Sequence, residues 1–308
     1  MGRIKRNTYK VKNFIRNDIW DMELEELSKA KARFIKYVKV MLITIKTFAN
    51  EKIGFQAVAL SFFSTMSVVP FIAIMFAITG GLGLSDKLKE LLYAYFDNSQ
   101  HTIDTILGFS DNIIQNAQSS TMGLVSSLMF AFIVIWMMLN VEKVFNNVWK
   151  VRKSRNIFKR LSFILALVIL SPFVVMVFFA GSFIYSNALE YLGLDYAGLT
   201  AFKTLLTWLL FAIVVSLTLS AMYKFIPNAK VRYRSAFHAS IPAALVFTLV
   251  QYMYLETQVF VTRLSTVFGA FAAVPLFMVW INVGWFIILI GAELAYAFQN
   301  VDSYNIDE

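Results

Sequence analysis

Six runs of apolar residues alternate along the chain with shorter segments crowded with charge or turn-forming polar residues. The hydrocarbon core of a bilayer is about 30 Å thick and an α-helix rises about 1.5 Å per residue, so a span takes roughly 20 apolar residues. The pattern predicts spans at about 53–80, 121–145, 161–186, 201–226, 236–260 and 270–298. The last is the clearest: "AFAAVPLFMVWINVGWFIILIGAELAYAF" carries no charge before Glu293. Lipid offers an unpaired backbone amide no partner, so these runs must be helices, and the short alternating strands of a barrel are absent.

The segments outside the spans carry their own periodicity. In residues 1–52 an acidic block, "DMELEEL", precedes "SKAKARFIKYVKVMLITIKTF", where Lys36, Lys39 and Lys46 interrupt the apolar positions. That predicts an interfacial helix with its cations toward lipid headgroups. The alternative is a solvated basic tail followed by a short buried helix. In the loop 81–120, Leu88, Leu91, Leu92 and Tyr95, and then Ile103, Ile106 and Leu107, recur at helical spacing, with "DNSQ" at 97–100 between them. A helical hairpin on the outer face is expected. The predicted fold is an all-α polytopic membrane bundle of six transmembrane helices with an N-terminal interfacial helix and an extracytoplasmic helical hairpin. It divides into a basic arm at 1–52, a membrane domain at 53–298 and a tail at 299–308.

Composition agrees with the pattern. Of 308 residues, 58% are hydrophobic and 15% charged, with mean hydropathy +0.65, where a soluble domain carries about 25% charged residues. Charge also orients the spans. The side holding segments 1–52, 143–160 and 224–235 has 24 of the 28 Lys and Arg residues, and the other side has Lys87, Lys89, Lys203 and Arg263. By the positive-inside rule both termini are expected in the cytoplasm. The first long apolar run starts past residue 50 with no cleavage pattern, so the first span is expected to act as its own insertion signal. The basic loops "NNVWKVRKSRNIFKR" (146–160) and "NAKVRYR" (228–234) follow from this topology. They point to anionic membrane lipids as partners, not nucleic acid. A homo-oligomer is compatible with the pattern.

Several chemistries are excluded. With no cysteine there is no disulfide, thiol nucleophile or Cys-ligated metal. The two histidines, His101 and His238, fall on opposite sides of the membrane, so no metal cluster or Ser/His/Asp triad is expected. No phosphate-binding glycine motif occurs. The chain is read as non-enzymatic, without cofactor, metal or catalytic residues.

What remains are polar residues at membrane depth, which are costly there and usually face the bundle interior. In "SFFSTMSVVPFIAIMF" (61–76), Ser61, Ser64 and Thr65 share with Ala57 about 100° of a helical wheel, suiting either close packing or a hydrated groove. Pro70 removes one backbone hydrogen bond and frees a carbonyl near Met66, which the neighbouring hydroxyls are expected to satisfy. Further candidates are Asn140 and Glu142 in the second span, Gln251 in the fifth and Glu293 in the sixth. Glu293 is read as an ion pair fixing helix ends, with Lys143, Lys224 or a loop Arg within reach, or as a titrating coupling site. Tyr223, Tyr252, Tyr254, Trp280 and Trp285 suit either a cavity lining or interfacial and lipid-facing bulk, the commoner place for aromatics in membrane helices, and no role is assigned to them.

Four motifs then line up: "AVALSFFSTMSVVPF" (57–71), "WMMLNVEKVFNNVWKVRKSRN" (136–156), "YKFIPNAKVRYRSAFHAS" (223–240) and "FGAFAAVPLFMVWINVGWFIILIGAEL" (268–294). In content and order they resemble the YihY/BrkB family of bacterial inner-membrane proteins, over about residues 40–298. The resemblance implies six spans and a location in the cytoplasmic membrane. It maps family positions onto Pro70, Pro227, Asn228, Gly269, Pro275 and the Gly291–Ala292–Glu293 triplet. Phe268 departs from the family's tyrosine. Members have carried the name of a tRNA-processing ribonuclease, but the residues argue against it, with no His-rich metal motif and no soluble domain to hold RNA. The expectation is a transporter-like or lipid-translocating envelope protein, with a non-transporting scaffold or assembly factor as the alternative.

Overall fold

A computed structural model of the chain describes residues 19–21, 28–50, 52–95, 121–153, 155–191, 200–268 and 273–302, with single helical positions between 104 and 115. The apolar runs fold as helices. After a helical turn at Ile19–Asp21 come α1 (Lys29–Asn50), α2 (Ile53–Gly81), α3 (Ser85–Tyr95), α4 (Thr121–Val148), α5 (Ile157–Tyr191), α6 (Thr200–Phe225), α7 (Tyr233–Phe268) and α8 (Ala273–Asn300). No strand occurs among the described residues. Six of these helices are long and apolar enough to cross a membrane: Ile53–Gly81, Gly123–Val148, Ile157–Met176, Thr204–Phe225, Tyr233–Thr257 and Pro275–Asn300. With 35 and 36 residues, α5 and α7 measure about 50 Å and overrun the roughly 30 Å core.

Two helix ends show why the chain turns where it does. After α2, Gly83 takes φ +67°, its N–H bonds Gly80 O at 3.1 Å, and the N–H of Leu84 bonds Thr79 O at 2.8 Å. After α4, Lys150 takes φ +49°, its N–H bonds Asn147 O and that of Val151 bonds Asn146 O, each at 2.9 Å. Both are Schellman caps, which return hydrogen bonds to carbonyls the helix leaves open. A third left-handed residue, Lys52 at φ +52°, forms the joint between α1 and α2.

The bundle is centred on α2 and α8. α4 and α5 pack on α2, α7 packs on α8, and α6 packs on α7. The contacts of α1 and α2 along α8 run in antiparallel order. Lys36 reaches Asp302 at 3.3 Å, Val40 and Ile43 share a core with Ala297 and Val301, Phe48 and Phe286 rings lie 5.1 Å apart, and Ser61 meets Asn282. α1 therefore lies against α8 as well as leading into α2. The main core gathers Ile53, Ala57, Leu60, Phe145, Tyr223, Ala239 and Leu289 from five of the helices.

At the opposite end from the basic loops, Leu88 of α3 packs with Met75, Phe76 and Leu107. Lys89 pairs with Asp111 at 3.4 Å and the Tyr93 hydroxyl donates to Asp104. These crossings join α3 to the helical positions beyond residue 103, the arrangement of a hairpin. The carboxylate of Asp104, accepting that bond, raises the pKa of Tyr93 above its usual 10.0. Outward-facing apolar side chains such as Phe55, Val58, Phe62, Met66 and Val69 of α2 form the surface that meets lipid.

Candidate functional site

The hydroxyl stripe of α2 faces α8. Trp285 Nε1 donates to Ser64 Oγ at 2.8 Å, and Asn282 Nδ2 approaches Ser61 Oγ at 3.4 Å. Ser61 and Ser64 are buried, while Thr65 and Asn282 are each half-covered. A polar seam thus runs between the two central helices, about 12–18 Å in from the start of α2 at about 1.5 Å per residue. The stripe was legible in sequence; its partners Asn282 and Trp285 were not named as such. An amide inside "VWINVGW" was the available signal.

The same hydroxyls also bond their own helix: Ser61 to Val58 O at 2.7 Å, Thr65 to Ser61 O at 2.8 Å and Ser67 to Ser64 O at 3.0 Å. None of these bonds goes to the Met66 carbonyl that buried Pro70 frees; the last accepting carbonyl, Ser64 O, lies two residues before it. Ser61 thus spends its donor on its own helix and turns its oxygen lone pairs to Asn282, while Ser64 Oγ accepts from Trp285.

At the basic end, two loops are tied together around Glu142. This carboxylate, 2% exposed, receives Arg160 Nε at 2.8 Å and stands 3.9 Å from Arg155 Nη1. Arg160 also donates to Leu139 O at 3.0 Å. Arg155 donates to Phe225 O at 2.9 Å and Pro227 O at 3.2 Å, and its guanidinium lies 4.3 Å from the centre of the Phe163 ring. Asn228 closes the knot, its N–H donating to Asn146 Oδ1 at 2.7 Å and its amide to Lys153 O at 3.0 Å. Pro227 and Asn228, chosen on resemblance, and Glu142, chosen on polarity, therefore belong to one network. Asn146, Arg155 and Arg160 complete it; the sequence pattern shows the two arginines only as topology-setting loop cations within reach of Glu293.

Glu293 lies elsewhere. It is fully buried in α8, within about 20° of Asn282 on the helical wheel. Of the loop arginines, Arg160 bonds Glu142 and Arg155 stands 3.9 Å from it, and Lys224 donates to Val231 O. Gly291 points the other way, toward α6 and α7. A Cβ there would stand 2.0 Å from Tyr223 Oη and 2.8 Å from Ala243 Cβ, so only glycine fits. Near this contact Ser216 and Ser240 share a buried hydrogen bond at 3.0 Å.

The other candidates are dispersed. Gln251 accepts from Trp280 Nε1 at 3.0 Å, beside stacked Tyr254 and Trp280 rings. Asn140 donates to Trp136 O of its own helix at 2.8 Å. Pro275 is exposed in the first turn of α8, Phe268 ends α7, and Gly269 lies outside the described residues. His238 Nδ1 lies 2.6 Å from Arg234 O on its own helix; His101 lies outside the described residues. Among the described residues no three His, Asp or Glu side chains gather as a metal site would require.

Comparison with known proteins agrees with this architecture. A family model described as "Virulence factor BrkB" matches residues 44–307. Among curated relatives, a UPF0761 membrane protein of Chromohalobacter salexigens is 28% identical over 251 residues, 78% of this chain and 58% of the relative. One from Haemophilus influenzae is 25% identical over 268 residues, 84% of this chain and 95% of the relative. One from Mannheimia succiniciproducens is 28% identical over 255 residues, 80% and 85% of the two chains. The chain thus spans about three fifths of the length of the first of these and most of the other two. No solved structure matches. With its six membrane-crossing helices and a match over most of its length, the chain is an integral membrane protein belonging to the BrkB family.

Proposed function

We propose that the protein moves an amphipathic molecule, with membrane lipid as the first class to test, across the bacterial cytoplasmic membrane, the basic end and both termini facing the cytoplasm. The observation that carries this reading is the α2–α8 seam. It sets Ser61, Ser64, Asn282 and Trp285 at membrane depth, with Thr65 and Asn282 half-covered. Polar groups partly open to the bundle surface at that depth offer a headgroup hydrogen bonds that hydrocarbon cannot. The seam also joins the helices packed on α2 to those packed on α8, so a small rotation there would open it. Proline in α2, α5 and α7 adds local freedom of bending.

Purified protein in liposomes, assayed for movement of labelled lipid between leaflets, tests the reading. Movement that falls on Asn282→Leu or Glu293→Gln is expected. A second reading, a non-transporting scaffold, draws support from the close packing of Ser61 and Ser64. It predicts no movement in any variant and stable capture of partners.

A further inference from the structure

Helix α1 has three distinct faces. One is taken by the bundle: Val40, Ile43, Thr44 and Thr47 are buried, against Ala297 of α8 and Val301 just past its end for the first two. A second, about 180° away from Ile43 on the helical wheel, is apolar yet open: Phe34 is 70% exposed, Tyr37 48%, Met41 56% and Ile45 62%. Between them run cations. The helix carries six Lys and Arg residues and no acidic one, and exposed Lys31 and Arg33 flank the open stripe on its two sides.

Water does not suit such a stripe. Aromatic and aliphatic groups on this scale mark a surface that something covers, and the sequence of the helix says what. Exposed Lys31 and Arg33 bordering an apolar strip, on a helix with no acidic residue, match a bilayer surface with anionic headgroups, because the strip enters the acyl boundary while Lys and Arg stems reach back to phosphate. The helix is also placed for it. It sits at the basic end of the spans, and its stripe ends ten residues before the lipid-facing stripe of α2 begins at Phe55. We infer that the open face of α1 docks on the anionic leaflet at the basic end of the protein, while its opposite face stays fastened to α8.

The chain has no cysteine, so single substitutions can carry a unique nitroxide label. Full-length Phe34→Cys, Met41→Cys and Ile45→Cys, with exposed Lys29→Cys as the control off the stripe, are placed in nanodiscs of phosphatidylcholine, alone or mixed with phosphatidylglycerol. Collision with oxygen and with a water-soluble nickel chelate is then compared. The three stripe positions should show a severalfold higher oxygen-to-nickel ratio than the control, rising further with phosphatidylglycerol. Adding Lys31→Glu and Arg33→Glu should remove that rise. Equal nickel access at stripe and control positions overturns the inference, as does the same ratio in both lipids. Protection accompanied by spin–spin broadening that dilution relieves overturns it in favour of a second copy of the chain. None of these readouts depends on whether the protein moves lipid.

Discussion

Tyr223 Oη and Gly291 approach so closely that a Cβ on the glycine would lie 2.0 Å from the hydroxyl oxygen. Tyr223 is fully buried, and among the described residues its hydroxyl makes no hydrogen bond. This contact fixes the spacing of α6 against α8. Gly291→Ala is expected to cost about 1–3 kcal/mol through overpacking, read as a lower melting temperature in detergent. Tyr223→Phe should be near neutral alone, since it removes an unsatisfied buried oxygen. Combined with Gly291→Ala it should restore part of the loss, because the 2.0 Å clash goes while the 2.8 Å clash with Cζ stays. Full additivity of the two changes would show that the contact is unimportant.

The knot around Glu142 makes a different prediction. Removing one partner strands a buried carboxylate, so Arg160→Met should destabilise by about 3 kcal/mol. Glu142→Gln with Arg160→Met should lose less than Arg160→Met alone. Thermal denaturation of the single and double variants in one detergent compares them directly.

In the α2–α8 seam, Trp285→Phe removes the donor to Ser64 while keeping most of the ring. The loss should be about 1 kcal/mol, and Ser64→Ala in the same background should add little. If each change costs its full amount in the presence of the other, the 2.8 Å bond does not couple the helices.

The helical hairpin carries a pH signature. Tyr93 has its pKa raised chiefly by its hydrogen bond to Asp104, with its burial and the negative charge of Asp104 adding to the shift. A raised phenol contributes stability that is fully present below the unfolded value of about 10 and is lost as pH rises through the folded value. Ultraviolet titration should therefore count Tyr93 among the late-ionising tyrosines, and Asp104→Asn should bring it back toward the ordinary range, lowering that count by one. A titration unchanged by Asp104→Asn would contradict the assignment.

The spans were legible because each is a run of apolar residues whose length alone dictates a membrane-crossing helix. So was the polar stripe at Ser61, Ser64 and Thr65, since helical periodicity puts these positions on one face. Their partners were not, because Asn282 and Trp285 lie 221 residues further along the chain, and no local pattern sets a register over that distance. Charge misled in a similar way. Arg155 and Arg160 look like loop cations required by topology, and only the meeting of the two loops shows that they serve Glu142 rather than Glu293. In α1, the alternation of Lys with apolar residues announced an amphipathic helix, but not that α8 takes one apolar face and leaves the other open.

In the proposed function the α2–α8 seam works by opening, and locking it is the direct test. Ser61→Cys with Asn282→Cys in this cysteine-free chain allows a short bifunctional thiol reagent to tie the two helices in proteoliposomes. Labelled lipid should exchange between leaflets before cross-linking, stop when the tie forms, and resume when a cleavable tie is reduced. Exchange that continues unchanged with the seam tied, or that never exceeds protein-free liposomes, would contradict the account.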